Sequence, residues 1–501
     1  MIDKEQFTAL TRRLVHGPLR EAVGYTVESE LPYFHGTIGF LVEAPMLWIR
    51  HSRFPILFVV YDNNQSQMLE AVVTQLQSAK VAEFFALLIV VPGAEENGRE
   101  AEEVRGLMAN SLYRYDFVVL DRDSLVRIIA GSNSRQLIEV ILEQGIDLSS
   151  LSPYVVRGPV PEKMFFGRER EIKEVSQRVL TADYSIVGGR RIGKSSILQR
   201  VNGLLNNDHR YWACYLDCEE KFEYRDLFGA MEIEFKAALD DASPLSFRKL
   251  VARLNNQSPT RQVVFLLDEV DELLDYDAHS ERSGQLFKTF RALSQESACR
   301  FVFSGSRTLY QHLHNPKSPF FNFCEDIILK PLGERSIAEI VSKPMRQLGI
   351  QLPDEEALID RIIELSSCHP SIAQWLCDRL IKTAPQRCIT VESLEHIATD
   401  PEFCRYFVQT AWSDSTPLER LISLMVEGPT FGLDQLFKSL TRYRLDNKKM
   451  ILESLEMLQL CSLVERNGQE CRFVLAHFPQ LVRNMEDVTS QIECLLRQVS
   501  M

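Results

Sequence analysis

A chain of 501 residues with 45% hydrophobic and 25% charged side chains is long enough for roughly three or four domains of ordinary globular make-up. The formal net charge of −13 argues against a broad, sequence-independent grip on nucleic acid, which needs a basic face. The eleven cysteines lack zinc-site spacing, and neither a signal-peptide core nor a run of about 18 uncharged apolar residues occurs. We therefore expect free thiols, no membrane contact and a cytoplasmic location.

The first 148 residues carry an α/β pattern and form the first predicted domain. Short apolar runs bounded by polar residues favour strands, and apolar positions at helical spacing favour helices. The predicted strands are 38–43, 55–62, 85–91 and 116–121, and the predicted helices are 68–81 and 124–130. Residues 149–163 follow as a predicted linker, because Pro153, Gly158, Pro159 and Pro161 cluster there.

The segment after the linker contains a phosphate-binding motif, G-x-x-x-x-G-K-[ST]. Glycines let the backbone amides turn inward around phosphate oxygens, and the helix that follows directs its positive end at the same anion. The predicted nucleotide-binding residues of this loop are Gly188, Gly189, Arg190, Arg191, Ile192, Gly193, Lys194, Ser195 and Ser196.

The motif lies between a predicted strand at 184–187 and a predicted helix at 195–205, which is the context it requires. It predicts a site for ATP or ADP with Mg²⁺. We expect Lys194 to reach the β- and γ-phosphates and act in catalysis, and the Ser195 hydroxyl to bind the metal ion.

A second apolar run, 263–267, ends in Asp268 and Glu269. A buried parallel strand delivers such side chains to the carboxyl edge of its sheet, where ligands bind in open α/β folds. Asp268 is predicted to hold Mg²⁺, and Glu269 to position and polarise the attacking water as a catalytic residue. Asp271 and Glu272 are interpreted as a solvated helix start.

A third apolar run, 300–304, ends in small polar residues and an arginine. One of Ser304 and Ser306 is predicted to sense the γ-phosphate. Two interpretations of Arg307 stay open: it stabilises transferred charge, in this subunit or a neighbouring one, or it is a surface arginine of a turn.

The predicted fold class is therefore α/β and multi-domain, with a P-loop parallel sheet core at 164–332 and further strands at 211–216 and 326–329. Residues 333–410 have a purely helical pattern and are predicted to form a helical lid. Residues 411–482 combine three helices with an Asn467-Gly468 hairpin, which is the pattern of a winged helix. Residues 483–501 are predicted to form a tail helix.

Taken together, several motifs of the chain resemble those of the AAA+-like STAND ATPases, and within them the archaeal-ATPase-like group with a double arginine in the P-loop. The resemblance covers about residues 164–480. The motifs that carry it are Phe166-Gly167-Arg168-Glu169-Arg170-Glu171, Gly188 to Ser195, Leu267-Asp268-Glu269 and Ser304-Gly305-Ser306.

This resemblance implies further nucleotide contacts. Phe166, Gly167 and Arg168 are expected to border the adenine pocket. The family's lid carries Gly-His/Asn-Pro with the proline near the nucleotide, and His369 and Pro370 fit this pattern, whereas Cys368 replaces the glycine. An alternative interpretation of His369 is a simple helix start before proline.

The resemblance also implies a function. Such proteins act as switches in which the lid and winged helix hold an ADP form closed, while ATP exchange opens it and permits assembly. A slowly hydrolysing regulatory ATPase of defence or signalling, with an ATP-dependent homo-oligomer, is therefore the first hypothesis. A nucleotide-stabilised scaffold with a silent site is a non-enzymatic alternative.

Residues 5–125 weakly resemble restriction-endonuclease cores. Such nucleases need an acid followed by a Glu/Gln-x-Lys pair, and no lysine follows Asp62. Glu43 and Asp62 are the remaining acids that could hold a metal ion. We prefer a catalytically silent domain that binds a protein partner through residues 1–148.

A second functional hypothesis is a DNA-associated ATPase of the replication- or transposition-loader type. Its DNA contacts would be the basic residues at the start of the third winged-helix helix, which in DNA-binding versions enters the major groove. These residues are Arg442, Arg444, Lys448 and Lys449. The acidic total charge favours an internal clamp or partner surface instead.

Overall fold

The computed structural model describes most of the chain. The described residues are 3–45, 47–50, 52–80, 85–92, 99–109, 116–131, 133–220, 223–280, 284–384, 387–412, 414–426, 428–485 and 487–499. In this part, no helix combines the length and apolar character needed to cross a bilayer. All eleven cysteines are free thiols, as expected.

The N-terminal block contains a five-stranded mixed sheet with the strands in chain order. Its first three strands are antiparallel, and the third, fourth and fifth are parallel. The strands are β1 (Thr26–Glu30), β2 (Thr37–Glu43), β3 (Arg53–Val60), β4 (Phe85–Val91) and β5 (Asp116–Leu120). The helices are α1 (Lys4–His16), α2 (Pro18–Val23), α3 (Gln65–Ala79), α4 (Glu100–Ala109), α5 (Arg122–Gly131), α6 (Ser134–Glu143) and α7 (Leu148–Leu151).

The four strands predicted here are present, and their ends lie within two residues of the predicted ones. β1 was not predicted, because this strand is largely exposed and lacks an apolar face. Residue 81, the predicted end of the helix that became α3, lies outside the described residues.

The strand register excludes the metal pair suggested for this block. Glu43 is paired with Arg53 at one end of β3, whereas Asp62 follows Val60 at the other end. At about 3.3 Å per residue the two carboxylates are roughly 30 Å apart, so that hypothesis was wrong. In the described ranges, no group of three or more His, Cys, Asp or Glu is arranged to hold a metal ion.

The predicted linker packs against its surroundings instead of running free. The buried Ser152 hydroxyl donates to Asp378 at 2.8 Å, and the buried Tyr154 hydroxyl donates to the Ile340 carbonyl at 2.9 Å. The Lys163 amine is 7% exposed and donates to the carbonyls of Leu47 and Ile49 at 2.7 and 2.6 Å. This segment therefore ties the N-terminal block to helices of the C-terminal half.

A five-stranded parallel sheet forms the centre of the chain. Its strand order is β10-β6-β9-β8-β7, and every pair is parallel, as expected for strands alternating with helices. The strands are β6 (Tyr184–Val187), β7 (Tyr211–Asp217), β8 (Gln262–Asp268), β9 (Arg300–Gly305) and β10 (Glu325–Ile328). The helices are α8 (Glu169–Arg178), α9 (Lys194–Asn206), α10 (Tyr224–Phe235), α11 (Pro244–Gln257), α12 (Asp271–His279), α13 (Gln285–Gln295) and α14 (Arg307–His314).

Both faces of this sheet are buried in separate apolar clusters. One cluster contains α9 and the residues of β8 that face it, and the other contains α11, α13 and the alternate residues of β8. Such burial explains why β8 reads as a continuous apolar run up to Asp268. The result is a mixed α/β fold with a parallel-sheet P-loop core, as predicted.

Helices alone follow the sheet. They are α15 (Glu334–Gln347), α16 (Glu355–Ser366), α17 (Pro370–Thr383), α18 (Val391–Ala398) and α19 (Pro401–Trp412). Pro370 is the first residue of α17, where a missing amide proton costs nothing. Cys368 has a φ of 61°, a conformation that glycine adopts more easily. This angle accounts for the glycine that the resembled family carries at that position.

The last part combines helices with a three-stranded antiparallel sheet of order β11-β13-β12. Gly468, with a φ of 63°, lies in the turn between β12 and β13, as the predicted hairpin requires. The elements are α20 (Pro417–Leu424), β11 (Thr430–Gly432), α21 (Leu433–Thr441), α22 (Lys448–Leu460), β12 (Val464–Asn467), β13 (Glu470–Phe473), α23 (Phe478–Met485) and α24 (Val488–Val499).

Candidate nucleotide site

The glycine-rich motif forms the loop between β6 and α9. Gly193, with a φ of 107°, lies directly before the first residue of α9, a conformation open only to glycine. The loop therefore ends at a helix N-terminus, which is the anion-binding arrangement that the sequence predicts.

Lys194 is 4% exposed and connects three parts of the site. Its amine donates to the carbonyls of Gly188 and Gly189, both at 3.3 Å, and to the Ser306 hydroxyl at 3.1 Å. It also forms an ion pair with Glu269 at 3.6 Å. The lysine thus joins the loop to the ends of β8 and β9. We expect the β- and γ-phosphates of a nucleotide to bind at this amine.

Asp268 lies at the end of β8 with 1% exposure. Its Oδ2 accepts a hydrogen bond from the Tyr215 hydroxyl at 2.8 Å, and its Oδ1 accepts from the Ser304 hydroxyl and from the Glu269 amide. An oxygen-only set of a carboxylate and the Ser195 hydroxyl suits Mg²⁺. These residues therefore fit the metal ion that the motif implies.

Glu269 follows with a φ of 50°, an uncommon value for a residue with a side chain. Burial raises the pKa of its carboxyl, the Lys194 amine lowers it, and the nearby Asp268 and Asp271 carboxylates raise it further. The side chain is still 34% exposed. The strained backbone turns this carboxylate toward the lysine at the edge of the sheet.

Asp271 departs from its predicted role. Its carboxylate accepts hydrogen bonds from the amides of Ser306, Thr308 and Leu309, at 2.7 to 3.2 Å, and so satisfies the first turn of α14. The solvated helix start describes Glu272, which is exposed, and was wrong for Asp271.

The two predicted γ-phosphate sensors occupy different places. The Ser304 hydroxyl is fully buried and bonded to Asp268, whereas the Ser306 hydroxyl accepts from Lys194. Of the two, the structure places Ser306 beside the residue expected to reach phosphate. Arg307 is directed elsewhere, because its guanidinium is bonded to the Glu419 carboxylate and the Asp414 carbonyl. Its catalytic role stays a prediction.

A cavity of about 480 Å³ lies beside the loop and runs from Lys194, Asp268 and Glu269 to an apolar end. The apolar side chains there are of the kind that pack against a base. Its walls come from the linker, the segment before α8 and the lid, and they include Val156, Met164, Phe166, Leu332 and Ile340.

The three residues expected at the adenine pocket have different surroundings. Phe166 lines the cavity and stacks on Trp48 of the N-terminal block, with ring centroids 6.2 Å apart. Arg168 also lines the cavity; its side chain is 8% exposed, forms an ion pair with Glu171 and donates to the Ile192 carbonyl, so it braces the loop as well. Gly167 leaves room for the Ser336 hydroxyl, which a methyl group there would meet at 2.7 Å.

The two arginines of the P-loop, Arg190 and Arg191, make different contacts. Arg190 is exposed and lines the cavity. Arg191 lies over the Tyr406 ring at 5.3 Å and donates to the Thr410 hydroxyl at 3.3 Å, both on α19. Both arginines therefore line the cavity, and Arg191 also ties the loop to α19.

Of the two lid residues, Pro370 lines the cavity and His369 is buried behind it, 4% exposed. Among the described residues, none forms a hydrogen bond with His369 Nδ1. Burial and the positive charges of Arg168 and Arg191 lower the pKa of His369 to about 4.

Sequence reasoning missed several residues of the site. Tyr215 and Gln374 line the cavity, and the side-chain Oε1 of Gln374 accepts from the Val155 amide at 3.1 Å. Cys461 lies against Gly189, where an added methyl group would meet its carbonyl oxygen at 2.8 Å. No local motif marks these residues; only the alternation within the strand containing Tyr215 could have placed it on the α9 face.

A model of the family Novel STAND NTPase 1 matches residues 158–376, which is less than half of the chain. No curated protein sequence matches the chain. The fold, the motif and the family match together make the part around the parallel sheet a P-loop NTPase core similar to that of STAND NTPases.

Solved structures give only a general likeness of shape. A Walker-type ATPase of Pyrococcus abyssi is 16% identical, with 66% of this chain and 99% of that chain covered and a TM-score of 0.49. The ORC2 protein of Aeropyrum pernix, solved as ADPNP–ADP complexes, is 15% identical over 66% and 95%, with a TM-score of 0.48. The ORC1 protein of the same organism, solved with DNA, is 13% identical over 68% and 94%, with a TM-score of 0.38.

The low pKa of His369 predicts an acid-sensitive lid. In the unfolded chain His369 binds a proton below about pH 6.5, whereas in the folded chain it stays neutral down to about pH 4. The free energy of unfolding therefore falls as the pH falls through this window. Between pH 7 and pH 5 it should fall by about 2 kcal/mol. Thermal unfolding of wild type and His369→Gln at both pH values measures it, and the variant should lose less. An equal loss of stability in wild type and His369→Gln would contradict the prediction. His396→Gln, at an exposed position, is the control and should lose as much as wild type.

Proposed function

We propose that this chain is an ATP-binding, slowly hydrolysing switch of the STAND type, in which nucleotide exchange moves the C-terminal helices away from the P-loop and permits assembly in defence or signalling. The observation that carries this proposal is the close approach of Cys461, at the end of α22, to Gly189 of the loop. A change in the loop conformation on nucleotide exchange would therefore displace α22 directly.

The chemistry expected at the site follows from its side chains. Lys194 neutralises phosphate charge, Ser195 and Asp268 hold Mg²⁺, and Glu269 orients water. When bound, the metal ion would screen the phosphates and draw charge from the leaving group. The ion pair between Lys194 and Glu269 at 3.6 Å has to open before either residue acts on nucleotide, which supports slow turnover.

Two further contacts support a closed form held by the C-terminal part. Arg307, at the start of α14, pairs with Glu419, which is 2% exposed. The Tyr310 hydroxyl, one turn further on, donates to Glu456 of α22 at 2.9 Å. Both contacts join α14, the helix that follows β9, to elements that follow the lid. Because Ser306, between β9 and α14, is a predicted γ-phosphate sensor, binding of the γ-phosphate and closure would be coupled.

We also propose that residues 1–148 receive a protein partner and report it to the nucleotide. Lys163 holds the carbonyls on either side of Trp48, and Trp48 stacks on Phe166 at the apolar end of the cavity. A partner that shifts this turn would move a wall of the predicted base pocket. The wide separation of Glu43 and Asp62 favours such a docking role over nuclease activity.

The alternative function, a DNA-associated ATPase, draws on residues 411–482, whose helices and antiparallel sheet support our assignment of a winged helix. Arg442, Arg444, Lys448 and Lys449 are all exposed there. However, Lys449 is paired with Glu453 at 3.8 Å, which weakens the local positive potential. The clamp role therefore ranks first.

Lys194→Ala should abolish binding of ATP and ADP, because the buried loop loses its phosphate-facing cation. Glu269→Gln should retain ATP but lower turnover by roughly a hundredfold or more. Nucleotide binding and phosphate release measure these effects, with Glu272→Gln, an exposed acid on the adjoining helix, as control. Wild-type turnover in Glu269→Gln would remove the catalytic assignment, and a silent wild type that still binds ATP would favour the scaffold alternative.

Arg307→Ala and Glu419→Gln should each release the closed form and speed ADP dissociation about tenfold, since the first removes the cation of this ion pair and the second neutralises its carboxylate. The double variant should be close to Arg307→Ala alone, because both changes act on the same ion pair. Stopped-flow release of a fluorescent ADP measures the rates, and Arg178→Ala, which breaks an exposed pair with Glu325, is the control. Lost ATP turnover with unchanged ADP release would favour the catalytic role of Arg307 instead.

The DNA alternative makes a different prediction. If it holds, duplex DNA should stimulate hydrolysis, and the combined Lys448→Ala and Lys449→Ala variant should weaken binding and reduce its salt dependence. Fluorescence anisotropy at several salt concentrations measures this, with Lys173→Ala on the surface of the core as control. Binding that is absent in the wild type, or unchanged in the variant, argues for the clamp.

A further inference from the structure

Tyr215 lies on β7, the edge strand next to the strand that carries Asp268. The parallel register pairs Tyr215 with Leu266 and Asp217 with Asp268. Side chains alternate along a strand, so Tyr215 shares the α9 face of the sheet with Leu266 and Asp268. The phenol is therefore set one strand away from the carboxylate and directed along the sheet toward its carboxyl edge.

The contacts of Asp268 make this placement chemically specific. Tyr215 donates to Oδ2 at 2.8 Å, while Oδ1 receives the Ser304 hydroxyl and the Glu269 amide at 3.1 Å. Each carboxylate oxygen is thus bonded by a hydroxyl from a neighbouring strand, Tyr215 of β7 on one side and Ser304 of β9 on the other.

Asp268 needs such support because it is a buried charge. Among the described residues, no lysine or arginine forms an ion pair with Asp268, and the nearby Lys194 is paired with Glu269. A buried carboxylate without a cation depends on hydrogen bonds for its stability and its orientation. The side chain is therefore held ready for a cation that arrives from the cavity, which Tyr215 also lines.

We propose that Tyr215 is the positioning residue of the magnesium site, fixing the orientation of the Asp268 carboxylate that would hold the metal ion together with Ser195. The inference rests on the proposed nucleotide function. It assigns Tyr215 no contact with the reacting atoms. Partners that orient metal-binding groups in this way typically change metal affinity 10–100-fold when removed.

The test compares ADP binding in excess Mg²⁺ with ADP binding in EDTA, by titration calorimetry on the full chain. Tyr215→Phe keeps the ring that walls the cavity and removes only the hydroxyl. It should reduce the Mg²⁺-dependent gain in affinity about tenfold and leave affinity in EDTA unchanged. Tyr211→Phe, which removes a hydroxyl from the same face of β7 but far from the carboxyl edge, should leave both values unchanged.

Ser304→Ala gives a second route to the same measurement. It removes the hydroxyl bonded to the other oxygen of Asp268 and should lower the same Mg²⁺-dependent gain. This variant keeps the test sharp if Tyr215→Phe folds poorly.

The outcomes separate the two proposals. A wild-type chain that binds no nucleotide overturns the nucleotide function and the Tyr215 assignment together. A wild type with an Mg²⁺-dependent gain that Tyr215→Phe shares in full overturns only the assignment. Equal loss with and without Mg²⁺ also overturns it, because the tyrosine would then serve as a cavity wall.

Discussion

The buried amine of Lys194 is the point on which the candidate site depends. It bonds the Gly188 and Gly189 carbonyls, the Ser306 hydroxyl and the Glu269 carboxylate, so one positive charge joins the P-loop to the ends of two strands. A buried ammonium of this kind is stable only while its partners surround it. A phosphate group that replaced any of these partners would rearrange the others. The loop, the strand ends and the residues resting on them are therefore coupled through a single charge.

Much of this site could be predicted because short sequence motifs specify its chemistry. The motif, the apolar run ending in Asp268 and the Asn467-Gly468 hairpin each place their function within a few neighbouring residues, and the structure has each element where the pattern indicated it. Asp271 shows where local information fails. An acid in the first turn of a helix has the same signature whether it faces water or, as here, satisfies the amides of α14 more than thirty residues away.

The features that the sequence could not supply depend on register and on distant packing. Tyr215 reaches Asp268 only because β7 and β8 pair with one particular offset, and a shift of one residue would direct the phenol to the opposite face. Cys461 and Gly189 are brought together by the packing of α22, which no spacing rule encodes. The edge strand β1 was missed for a related reason: it has no buried face, so it lacks the alternation that marks a strand.

The distribution of apolar cores indicates which parts would move in a switch. One continuous core joins the N-terminal block, the lid and the C-terminal elements, whereas the parallel sheet has two cores of its own. Separating the lid from the N-terminal block would expose buried apolar surface, which is costly. Contacts between the sheet and this larger unit include the Arg307–Glu419 pair, the Arg191–Thr410 hydrogen bond, and Met457 and Leu460 of α22, which enter a sheet core. In the proposed switch, an opening that moves the sheet and its P-loop away from these helices would keep the core shared by the N-terminal block and the lid buried.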